Sequence, residues 1–210
     1  ASDWEAVITA FNSGGTFKRL ALFGGSAFTA DLDTGHSVDR TGPGYIGTYS
    51  GFGAGAPIVA FTYTGSGVNI ALGIRTQPDW RIVGVRLSGP QGNSLPTSYS
   101  GVGTDGFHPN MLTIYNCQTN GFNSPINAVT SGSGILVQGC TVSGCNGAAA
   151  ARSAHGIKWG RSAGGAKYHA VVDNYVDLGD VDNGQAWAAR GLTTSHSVVM
   201  SNTFDPGDAA

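Results

Sequence analysis

Five stretches of the chain follow one pattern: two inward apolar positions, then a Gly or Asn, then a second strand-like stretch that usually ends in Gly. They are IVGVRLSG (82–89), LTIYNCQTNG (112–121), ILVQGCTVSG (135–144), AVVDNYVDLG (170–179) and VVMSNTFDPG (198–207). Aligned on the final Gly, the pattern puts Ile82, Ile114, Val137, Val172 and Met200 in one column and Gly84, Asn116, Gly139, Asn174 and Asn202 in another. Gly and Asn tolerate positive φ at small cost, so a column of them after a short β-run marks a one-residue bend between two strands. Successive bends lie 32, 23, 35 and 28 residues apart; the shortest spacing sets the size of one unit, and the excess is inserted loop. A repeat of about 20–30 residues built only from strands implies a coiled solenoid, because one unit alone cannot bury its apolar face.

On these residues the chain resembles the pectin lyase-like superfamily of right-handed parallel β-helices, in which short strands stack into long sheets and Asn commonly occupies such a bend. Residues 81–207 carry the resemblance. The stretch GYIGTYSGFGAGAPIVAF (44–61) extends it, being similar to the early turns of bacterial secreted β-helix proteins. The expected fold is therefore all-β: one right-handed parallel β-helix domain over 1–210, with about seven or eight turns across 18–207. KRLALFGGSAFTA (18–30), PIVAFTY (57–63) and VNIALGI (68–74) supply the earlier strands.

Residues 2–12 read as a short helix that caps the solenoid. Ser2 and Glu5 have capping-box spacing, and Trp4, Val7, Ile8 and Phe11 follow the i, i+3, i+4, i+7 rule. A helix laid over the first turn blocks its unpaired edge. At the other end only three residues follow Gly207, so a further domain or self-association with another copy is expected to meet the final turn.

Composition narrows the function. Gly makes up 34 of 210 residues and charged residues 11%, against about 25% in ordinary soluble domains, which favours tight turns and uncharged loops over charged helices. A net charge of -2 with no basic stripe gives no field for nucleic acid, and no apolar run reaches the length of a membrane span. The absence of a starting Met, together with this composition, leads to the expectation of a secreted, extracellular protein. Cys117 and Cys140 share one position on neighbouring units, so strand stacking at about 4.8 Å sets them one above the other. A buried thiol stack, a Cys117–Cys140 bridge and a Cys140–Cys145 bridge all remain open at this point.

The insertions between the regular strands hold the unusual side chains. One carries GTDGFHPN, with Asp105 and His108; a second carries AHGIKWGRS, with His155, Lys158, Trp159 and Arg161, followed by Tyr168; a third carries DVDNGQAWAARG, with Asp180, Asp182, Trp187 and Arg190. Eliminating the group β to a uronate carboxylate needs a cation to neutralise that carboxylate and a base to take the C5 proton. Lys158 or His155 as base with Arg190 as neutraliser is the best arrangement the sequence offers, and some polysaccharide lyases of the superfamily are similar in using a Lys and an Arg from neighbouring turns.

Hydrolysis needs two carboxyl groups with room for a water. GTDGFH resembles the first Asp motif of polygalacturonases, but NAVTSGSG (127–134) stands where that family has its paired aspartates, so lyase chemistry is favoured. Trp159, Trp187 and Tyr168 are expected to stack on sugar faces beside Arg161. Asp177, Asp180 and Asp182 offer oxygen ligands for Ca²⁺. The same residues also suit turns and solvated loops, and a Thr ladder of the ice-binding kind is missing because Thr113, Thr119, Thr141 and Thr203 share no single column. The sequence thus points to a protein that cleaves or binds an acidic polysaccharide. Its alternative is a non-catalytic structural, adhesin or phage tail-fibre solenoid assembling through its C-terminal end.

Overall fold

A computed structural model describes residues 2–32, 36–49, 55–62, 70–75, 78–90, 99–104, 111–128, 133–145, 154–159, 167–179, 184–189 and 196–205. The chain opens with Ser2–Asp3 (β1) and the helix Trp4–Ser13 (α1), then runs through Arg19–Phe23 (β2), Ala27–Asp31 (β3), Ser37–Val38 (β4), Gly44–Tyr49 (β5), Ile58–Thr62 (β6), Ile70–Ile74 (β7), Trp80–Val83 (β8), Arg86–Ser88 (β9) and Ser100–Thr104 (β10). It continues with Leu112–Tyr115 (β11), Gln118–Asn120 (β12), Ser124–Ala128 (β13), Ile135–Gln138 (β14), Thr141–Ser143 (β15), Ala154–Trp159 (β16), Ala170–Val172 (β17), Tyr175–Asp177 (β18), Gly184–Ala189 (β19), Val198–Met200 (β20) and Thr203–Asp205 (β21).

From β2 onward every third strand joins the same sheet, while β1 joins β3, and the three sheets are ordered β1-β3-β6-β9-β12-β15-β18-β21, β2-β5-β8-β11-β14-β17-β20 and β4-β7-β10-β13-β16-β19. All pairings are parallel, so the chain is a parallel β-solenoid. We call these the first, second and third sheets.

The bend lies between the second and first sheets. Gly84, Asn116 and Gly139 occupy it with φ of 65, 51 and 64°, as their chemistry requires. In the last two turns the bend residues are Asp173 and Ser201, both at φ 55°, rather than Asn174 and Asn202. Register agrees: Ile82, Ile114, Val137, Val171 and Val199 stack in line. Alignment on the final Gly slips these two copies by one because Leu178 and Pro206 each add a residue between strand and Gly. Since side chains alternate along a strand, a one-residue slip assigns each of them to the wrong face.

The corrected register gives Asn174 and Asn202 a different role. They follow Val85, Cys117 and Cys140 in the position just after the bend, which faces the interior. The Asn174 backbone N–H donates to Asn202 Oδ1 at 2.9 Å, and the Cys140 backbone N–H donates to Asn174 Oδ1 at 2.9 Å. Asn202 Nδ2 donates to the Val171 carbonyl at 2.8 Å and Asn174 Nδ2 to the Val137 carbonyl at 3.1 Å. The thiols repeat the pattern, with Cys140 Sγ on the Ile114 carbonyl and Cys117 Sγ on the Ile82 carbonyl, both at 3.6 Å. Each side chain of this mixed ladder thus ties itself to the turn before it.

Cys117, Cys140 and Cys145 are free thiols, all buried. The hydrogen bond from Cys117 and burial hold Cys140 well above the ordinary thiol range. Burial, reinforced by the charge of Asp177, pushes Cys145 up to about 12.

At the N-terminal end, α1 runs from Trp4 to Ser13, and its cap is Asp3, whose carboxylate accepts the Ala6 N–H at 3.3 Å. Asp3 displaces Ser2 from the expected capping role because the preceding pair, Ser2–Asp3, is already extended against β3. Trp4, Ile8 and Phe11 turn inward and are buried. Asn12 bonds the Ser37 carbonyl at 2.8 Å and the Asp39 N–H at 3.1 Å, and Arg40 gathers the carbonyls of Phe11, Asn12, Gly14 and Gly15 at the helix C-terminus. In sequence order the helix stands where a third-sheet strand would begin, and it seals the apolar first turn.

Candidate functional site

The expected site residues divide by position. His155 and Lys158 both lie on β16, three residues apart, and alternation sends them to opposite faces. His155 shares its face with Ile157 and Trp159, both buried in the core; Lys158 lies in register with Asn127 of β13 and Ala188 of β19 on the outer face, half-buried. The two therefore do not converge as a catalytic pair on one surface. Trp159, 2% exposed, is a core side chain and not a stacking platform for sugar. Position 187 pairs with Ile157 on β19.

Tyr168 is 61% exposed and meets the His196 ring at 5.3 Å between centroids. Asp177 is half-buried, and its carboxylate accepts the Gly179 N–H at 2.8 Å, a turn-closing bond. Asp105, His108, Arg161, Asp180, Asp182 and Arg190 lie outside the described residues. Among the described residues, no three His, Cys, Asp or Glu side chains gather as a metal site. None of the described helices is long and apolar enough to cross a membrane.

A different surface brings charge and aromatic area together. Alternation along RLALF turns Arg19, Ala21 and Phe23 outward from the second sheet; along GYIGTY it turns Tyr45, Gly47 and Tyr49 outward; along WRIV it turns Arg81 and Val83 outward. Register aligns these into rows across the strands: Arg19, Tyr45 and Arg81 in one, Ala21, Gly47 and Val83 in the next, Phe23 and Tyr49 in the third. The middle row is small, so the outer rows become the walls of a trough running along the solenoid axis. Its volume is about 690 Å³, and Lys18, Pro43 and Asp79 complete the lining.

Tyr45 lies across this trough. A Cβ at Gly47 would fall 2.5 Å from the Tyr45 hydroxyl and 2.5 Å from the Val83 carbonyl, so Gly is required for the ring to lie flat over β5. The hydroxyl donates to the Thr48 carbonyl at 3.4 Å, which holds the ring in place. On the far wall, Phe23 and Tyr49 meet edge to face at 5.9 Å and are 55% and 53% exposed. Two exposed aromatics in contact on a sheet surface present apolar area to a ligand with apolar faces.

Three cations and one carboxylate line the groove. Asp79 sits 3.6 Å from Arg81, and Lys18 Nζ donates to the Gly42 carbonyl at 3.0 Å. No described carboxylate pairs with Arg19. The surplus of positive charge beside flat rings suits a ligand that is both anionic and ring-built, and solvent-exposed Arg side chains present paired N–H groups to carboxylates.

Sequence reading missed this site because it sought chemistry in the insertions. The signal lay in the regular strands: setting Ile46 over Ile82 would have placed Tyr45 beside Arg81. No protein-family model, curated protein or solved structure matches the chain.

Proposed function

We propose that this chain is an extracellular carbohydrate-active β-solenoid that takes an acidic polysaccharide along the outer face of β2, β5 and β8. The observation that carries the reading is the groove itself. A flat, backbone-tethered Tyr45 lies between Arg19 and Arg81, with a second aromatic wall opposite. Pyranose rings stack on such aromatics, and carboxylates meet the guanidinium groups.

The catalytic form of this reading is a polysaccharide lyase similar to those of the pectin lyase-like superfamily, a kinship supported by the Gly/Asn bends and the Asn rungs. In that chemistry a cation neutralises the uronate carboxylate, a base removes the C5 proton, and the glycosidic oxygen at C4 leaves as the C4–C5 double bond forms; Asp177, Asp180 and Asp182 would hold a Ca²⁺ that supplies a second neutralising charge. In this form the polymer continues from the groove onto the outer face of the third sheet, where Lys158 of β16 is the proposed base, with Arg190 as the proposed neutraliser.

The test is a panel of acidic and neutral polysaccharides, with and without Ca²⁺, scored for binding by affinity electrophoresis and for cleavage by ultraviolet absorbance and reducing ends. Retardation by acidic polymers alone, lost in Arg19→Gln and Arg81→Gln, supports the groove. Absorbance lost in Lys158→Ala adds the lyase. No retardation by any acidic polymer overturns the reading.

A second reading has its own observation. Val199 stands in the column of Ile82, Ile114 and Val137, each 0% exposed, yet it is itself 44% exposed, with Val198 and Met200 beside it at 49% and 54%. Apolar core positions open at a strand edge favour a structural solenoid that assembles there with another copy or domain. Light scattering across a concentration series tests this: a strictly monomeric protein at every concentration removes self-association.

A further inference from the structure

The rows of the groove specify more than an acidic glycan. Arg19, Tyr45 and Arg81 are direct register neighbours on three adjacent parallel strands, so the two guanidinium-bearing positions lie about 10 Å apart with position 45 midway and its ring laid along β5 over Gly47. That distance is the span of a disaccharide repeat, not of one sugar ring. No cation occupies the middle rung: Tyr45 fills it, and its ring presents the negative face of an aromatic quadrupole. A carboxylate carried by the ring over Tyr45 would lose water and meet no guanidinium, the remaining groove cation, Lys18, being held on the Gly42 carbonyl, whereas carboxylates on the rings to either side would each meet an arginine. Asp79, 3.6 Å from Arg81, adds a further penalty for surplus carboxylates placed off the rungs only if they approach that end.

We infer that the groove selects a glycan with alternating charge, one carboxylate per disaccharide, over a homopolymer carrying a carboxylate on every ring. The inference rests on the acidic-polysaccharide reading above and narrows it. Gly47 and Ala21 are the specificity floor: they hold Tyr45 flat and leave room for the uncharged ring to stack. Phe23 and Tyr49 on the opposite wall then cover the apolar edge of the same ring.

The experiment compares size-matched oligosaccharides by titration calorimetry: hyaluronan fragments as the alternating probe, oligogalacturonate as the fully charged probe and dextran fragments as the neutral control. The wild-type protein is expected to bind hyaluronan fragments about two- to fivefold more tightly than oligogalacturonate, the scale of one exposed charge contact. Arg19→Gln and Arg81→Gln each reduce that affinity severalfold, Tyr45→Ala removes it, and Tyr45→Phe, which keeps the ring, retains most of it. Equal or tighter binding of oligogalacturonate overturns the alternating-charge inference while leaving the groove as an acidic-glycan site. Binding of neither charged probe, equal binding of dextran, or affinity unchanged in both arginine variants overturns the groove reading and the inference together.

Discussion

Replacing Asn174 tests how the turns are fastened to one another. Asn174 is 2% exposed, accepts the Cys140 N–H and donates to the Val137 carbonyl, and it also donates to Asn202 Oδ1 at 2.8 Å. Asn174→Ala strips the partner from one buried N–H and one buried carbonyl; Asn202 Oδ1 keeps the Asn174 backbone N–H. Each newly orphaned buried group costs about 1–3 kcal/mol, so the variant should lose about 2–6 kcal/mol. Asn174→Cys should lose less, about 1–2 kcal/mol, because Cys140 and Cys117 already perform the same bonding one and two turns earlier. Urea denaturation gives the free energies, and amide exchange localises the damage, with the Cys140 N–H losing most protection. An Asn174→Ala protein within about 1 kcal/mol of wild type, with Cys140 still protected, would refute the ladder as a structural fastener.

Four other perturbations have defined outcomes. Arg40→Ala frees the carbonyls of Phe11, Asn12 and Gly14 and the ring contact to Phe11, so it should cost about 1.5–3 kcal/mol and expose 4–13 to limited proteolysis. Ser201→Gly relieves a β-carbon at φ 55° and should raise stability by up to about 1 kcal/mol in thermal denaturation, whereas an Ala there should lower it. Cys145 has its pKa raised from 9.0 to about 12 in the fold, so the folded state holds its proton longer than the unfolded chain does. That contribution is complete below pH 9 and fades as pH climbs toward 12, which denaturation midpoints across that range will show as a fall that Cys145→Ala lessens. The three buried thiols should also resist alkylation in the folded protein and react once it is unfolded in urea.

The solenoid was legible because its signal repeats. A Gly or Asn bend after alternating apolar residues recurs at Gly84, Asn116 and Gly139, and those positions hold the predicted bends. The stacking of Cys117 on Cys140 followed from the same columns, as did the capping helix from its apolar spacing. The last two copies misaligned because the final Gly was taken as the fixed point, although the physical fixed point is the stacked apolar residue. An extra Leu178 or Pro206 is invisible until hydrogen-bonded register sets Val171 on Val137 and Val199 on Val171.

The candidate site was less legible for a related reason. Unusual side chains attract attention in insertions, but extended strands impose alternation, and alternation alone separates His155 from Lys158 and buries Trp159. Conversely, Arg19, Tyr45 and Arg81 are separated by 26 and 36 residues and look unremarkable until the strands carrying them are stacked. Thr141 and Thr203 prove to share an outward column, but Tyr175 interrupts it and Thr119 points inward, so the ladder an ice-binding face requires is absent there.

The most direct test of the account is a crystal structure of the protein with a bound acidic oligosaccharide. The account predicts sugar density along the axis over β2, β5 and β8, with one ring stacked on Tyr45 and carboxylates at Arg19 and Arg81. Density confined to the outer face of β13, β16 and β19, beside Lys158, would contradict it and return the site to the third sheet.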